Sequence, residues 1–70
     1  MTATDFALCM AVLESATGKQ MSAEQTAAYA ELLGDLPAPV LMLACKQALL
    51  ESQYPTIPPV GTIRKLAVAA

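Results

Sequence analysis

Seventy residues, 56% hydrophobic and 14% charged, with a net charge of −2 and a pI of about 4.7, describe one small domain without an overall positive field for nucleic acid. A chain of this length buries only about 60% of the surface its unfolded form exposes, so each apolar side chain matters. With one Phe, no Trp and no His, the core falls to helix-compatible Ala, Leu, Val and Met, and the usual general base near neutral pH is missing.

The first predicted helix lies in TATDFALCMAVLESATG. Thr4 is placed as its N-cap, Asp5 at the positive end of its dipole, and Gly18 as the residue that ends it in the left-handed conformation. Phe6, Met10, Leu13 and Thr17 recur at helical spacing, and Leu8, Cys9 and Val12 widen that stripe, which predicts neighbours on more than one side.

The second helix starts at SAEQ, where Ser22 and Gln25 have the spacing of a capping box and Met21 is positioned to staple against Thr26 or Ala27. Tyr29, Leu32 and Leu33 form its apolar face. Gly34 ends it, and Asp35 to Pro39 form a turn.

The third helix, PVLMLACKQALLES, is the most apolar and is predicted to be central, with Pro39 tolerated in its first turn. Its polar residues Lys46, Gln47 and Glu51 define one narrow stripe, and Leu43 and Leu50 project into it. Two explanations stay open. Either another helix covers both leucines, or Leu43, Lys46, Gln47 and Leu50 form a docking stripe, apolar at its centre and polar at its rim.

In QYPTIPP, Pro55, Pro58 and Pro59 fix three φ angles and remove three amide donors, so this segment is an elbow that keeps the flanking helices from joining. Tyr54 and Ile57 are the residues it tucks against the core. A fourth helix follows, with Ile63, Leu66, Ala67 and Ala70 on one face and Arg64 and Lys65 off it. That basic pair is either a solvated helix face or a weak, salt-sensitive contact to about two phosphates. The uncapped LAVAA ending is read as a cut inside a longer protein or as a helix finished by something else.

Together these elements predict an all-α fold, a compact bundle of about four helices in residues 1–70, with a proline-rich elbow before the last. Catalysis is poorly provided for: the three serines lie at helix ends, the carboxylates are scattered, and no glycine-rich loop cradles phosphate, so neither an enzyme nor a cofactor is expected. Cys9 and Cys45 sit in apolar runs without metal-ligand spacing, which favours buried thiols over a disulfide and fits a reducing cytoplasm. The longest apolar run, VLMLAC, falls far short of the ~20 residues a membrane span needs.

The two short helices, the apolar PVLMLACKQALLES and above all QYPTIPPVGTIRKLA give the chain a resemblance to the folded N-terminal part of the phage replicative-helicase loader and inhibitor family. This resemblance implies a non-enzymatic replication accessory protein that binds a replicative DNA helicase, keeps it inactive and helps deliver it to an origin-bound initiator. In that family, contact with the helicase lies largely in a flexible tail beyond the folded helices. The contact surface expected on this chain comprises Leu43, Lys46, Gln47, Leu50, Tyr54, Arg64 and Lys65. Direct DNA binding through the fourth helix, or a structural or self-associating module, are the alternatives.

Overall fold

Capping and turn chemistry divide the apolar runs into four helices: α1 Ala3–Thr17, α2 Ala23–Leu33, α3 Ala38–Glu51 and α4 Val60–Ala69. The computed structural model describes residues 2–51 and 56–69, and all regular structure among them is helical, as composition and spacing predict. Ser52, Tyr54, Pro55 and Ala70, which figure in the predicted α3 end, elbow and α4 face, lie outside the described residues.

The start of α1 corrects the expected cap. Thr2, not Thr4, holds the N-cap position: its hydroxyl accepts from the Asp5 amide at 3.1 Å, while the Asp5 carboxylate accepts from the Thr2 amide at 3.3 Å. Asp5 stands three residues after Thr2, the spacing this reciprocal pair requires. A cap at Thr4 would place Asp5 in the next position, without the return bond. Gly18 ends α1 as predicted, at φ 70°, with its amide donating to the Glu14 carbonyl at 2.9 Å.

Helix α2 begins at its expected N-cap, where the Ser22 hydroxyl accepts from the Gln25 amide at 3.0 Å, although only this half of the expected capping box forms. A second tie comes from α1, where the Glu14 carboxylate accepts from the Met21 amide at 2.8 Å and so sets the angle at which α2 departs. Gly34 closes α2 with ordinary right-handed dihedrals. It is suited to the position by close approach, since a Cβ there would lie 2.5 Å from the Ala30 carbonyl oxygen.

Between α2 and α3 the chain turns through 120°, so Pro37 and Pro39 replace the simple antiparallel hairpin with a steeper crossing. Helix α3 is central, packing against both α1 and α4, and α4 also meets α2. Clefts between α3 and α4 pair Val40 with Ala69 at one end and Glu51 with Thr62 at the other, so these two helices run antiparallel.

Leu13, Leu33, Leu41 and Ile63 each come from a different helix and are completely buried, so every helix contributes a large aliphatic anchor to one core. Burying such a side chain contributes about 1.5–3 kcal/mol. Ala44, Ala48 and Ala67 are buried along α3 and α4, where their small size lets the two helices approach. Leu8 corrects the expectation of a covered second side on α1, since it is 56% exposed. The radius of gyration, 10.7 Å, matches the ~11 Å expected for this length, and the extents of 27 × 27 × 16 Å describe a flattened body. Among the described residues, no single helix is long and apolar enough to cross a membrane.

Candidate interaction surface

The solvent side of α3 carries four of the seven residues predicted for contact. Leu43 and Leu50 are 67% and 82% exposed, and Lys46 and Gln47 are exposed between them. Of the two explanations left open by the sequence, a covering helix is absent among the described residues. The cause is geometric. Leu41, Ala44, Cys45 and Ala48 already turn one side of α3 toward α1 and α4, and the 100° step per residue carries Leu43 and Leu50 to the opposite side.

Beside this stripe lies a groove of about 450 Å³ between α3 and α4. Ala44 and Ala67 form its floor, with Val40, Leu43 and Gln47 on one wall and Leu66 and Ala69 on the other. Leu43 therefore belongs to both the stripe and the groove. Val68, 68% exposed, adds an apolar side chain on the outer side of α4.

The basic pair is divided by the fold. The Arg64 guanidinium donates two parallel bonds to the Asp35 carboxylate, at 2.8 and 2.9 Å, and a third, at 2.8 Å, to the Leu32 carbonyl near the end of α2. It thereby satisfies an unpaired carbonyl of the last turn and places positive charge at the negative end of the α2 dipole. The hydrogen bond from Arg64 holds the Asp35 carboxyl below its usual value, and the same bond raises the Arg64 value. Lys65 stays exposed, so a paired approach of both cations to phosphates would first have to break the bond to Asp35.

The elbow is fastened by a residue whose role the sequence reading missed, Tyr29. The Tyr29 hydroxyl, on a side chain only 8% exposed, donates to the Pro58 carbonyl at 2.7 Å and so fastens the elbow to α2. Pro58 is itself buried and Ile57 packs on the core, as expected for Ile57. Tyr29 and Pro58 stand 29 residues apart, as do Asp35 and Arg64. Local spacing carries no signal for either pair. Tyr54, the remaining predicted contact residue, lies outside the described residues.

Cys9 and Cys45 are free and buried, in line with the thiol reading. Burial pushes the Cys45 thiol up to about 12, helped by neighbouring Cys9, and burial followed by the Asp5 charge raises Cys9. Neither thiol is a nucleophile near neutral pH, where the thiolate is the reactive form. Among the described residues no three His, Cys, Asp or Glu side chains gather into a group able to hold a metal ion. The chain matches no protein-family model, no curated protein and no solved structure.

Proposed function

We propose that this domain is a protein-contact module of DNA replication, working in the cytoplasm of a phage-type system as a loader or inhibitor of a replicative helicase. The observation that supports contact is the exposed α3 stripe: Leu43 and Leu50 stand in solvent with Lys46 and Gln47 between them, beside an apolar groove. In a domain of marginal stability, large apolar side chains clustered outside the core are economically explained by a partner that covers them. The replication assignment rests on the resemblance of QYPTIPPVGTIRKLA and the preceding helices to the loader and inhibitor family.

The test is capture of the replicative helicase, or of its origin-bound initiator, by the immobilised domain. Wild-type protein should retain one of them, and a Leu43→Asp/Leu50→Asp variant should lose it. Since both side chains are mostly exposed, the variant keeps the helical fold, which circular dichroism checks. Failure of the wild type to retain either protein, or equal retention by the variant, overturns the proposal.

A further inference from the structure

We propose that the groove between α3 and α4 receives the apolar face of an acidic amphipathic helix from a partner protein, an inference that rests on reading the domain as a protein-contact module. The groove is formed by two antiparallel helices and floored by Ala44 and Ala67, whose small side chains leave room for the larger side chains of an incoming helix. Val40, Leu43 and Leu66 supply apolar walls, and Gln47 is the one polar lining group. This is the form of a helix-in-groove site, read by residues at i, i+3, i+4 and i+7 of the guest.

Charge selects the guest. No carboxylate lines the groove. Lys46 follows Leu43 by three residues and adjoins Gln47, so it stands on the outer α3 rim; Lys65 precedes Ala69 by four and adjoins Leu66, which puts it on the α4 rim. Both are exposed. Glu51 belongs to the opposite end of the α3–α4 cleft, with Ala48 and Thr62, and Arg64 is turned toward Asp35. Glu51, one turn beyond Gln47, is the single acid at the far end of the groove, so the rims carry two lysines against one carboxylate, and a guest with Asp or Glu flanking its apolar stripe complements that net positive charge.

A second copy of the chain fits this description poorly. The α1 face of a second copy, Leu8, Ala11, Val12 and Ala16 with Asp5 beside Leu8, has helical spacing but only one large exposed side chain, and Leu32 on α2 stands alone beside Glu31. One leucine beside one acid does not fill a groove with three apolar wall residues.

The test uses a displayed library of helix-forming 16-residue peptides with randomised apolar and flanking positions, selected against the intact domain. Enriched peptides should carry Leu, Ile or Met at i, i+3, i+4 and i+7 with Asp or Glu beside them. Their affinity should fall about tenfold or more for Leu43→Asp and about fivefold for Lys46→Glu/Lys65→Glu, and the double reversal should favour basic-flanked peptides. Enrichment of basic or uncharged flanks, equal binding to Leu43→Asp, no enrichment, or concentration-dependent dimerisation lost in Leu43→Asp each overturn the inference. Helicase capture failing while acidic helices are enriched removes the replication reading alone. Helicase capture succeeding without such enrichment removes the groove inference alone.

Discussion

At the scale of single residues, the buried polar side chains bond to backbone. The Thr17 hydroxyl, buried at the end of α1, donates to the Leu13 carbonyl at 2.7 Å, and the Tyr29 hydroxyl reaches the Pro58 carbonyl at the same distance. Among the described residues no buried side-chain nitrogen or oxygen lacks a partner, as a well-formed interior requires. Tyr29→Phe keeps the ring and leaves the Pro58 carbonyl without its donor, at a cost of about 1–2 kcal/mol. In a domain of this size that lowers Tm by roughly 4–16 °C. Thermal unfolding of the variant measures it, and an unchanged Tm would show that the hydroxyl does not hold the elbow.

Among the helices, Asp35 and Arg64 join the end of α2 to α4 through a bidentate pair, and this contact carries a definite pH signature. The folded Asp35 carboxyl titrates below its unfolded value, so its stabilisation is present above the unfolded pKa of about 3.9 and is lost as pH falls through the folded pKa. Wild type should therefore exceed Asp35→Asn in Tm at pH 6, with the gap narrowing as pH falls below the unfolded carboxyl value of about 3.9. A gap independent of pH would mean that the pair contributes by shape rather than by charge. The helices themselves were legible in the sequence because their signals are local: Ser22 with Gln25, Gly18, and prolines that stop one helix before the next. The α1 cap was misplaced by two residues because two threonines precede Asp5 and only the three-residue spacing separates them. The Asp35–Arg64 and Tyr29–Pro58 contacts were illegible, since each depends on how α2 crosses α4 rather than on neighbours in the chain. Exposure of Leu43 and Leu50 was half legible: periodicity put them on the polar stripe, but whether another helix lay over it required the packing.

For the molecule as a whole, charge and packing bear on the choice between a protein partner and DNA. Net charge is −2, Arg64 is bound by Asp35, and Lys65 is the remaining exposed cation on α4. A duplex approaching α4 thus meets about one available positive charge, and with about one phosphate neutralised, log affinity changes with log salt by a slope near −0.9. Fluorescence anisotropy with a duplex oligonucleotide should show no saturable binding at 150 mM salt. Asp35→Asn removes the carboxylate that neutralises Arg64, so over a titration upward from 20 mM salt any residual binding should steepen by about one unit of slope. Tight binding by the wild type at 150 mM salt, lost with Lys65→Ala, would transfer the role of α4 from protein contact to nucleic acid. The groove would then have to be explained independently of Lys65, because a lysine engaged by phosphate is not available to the rim of an acidic helix.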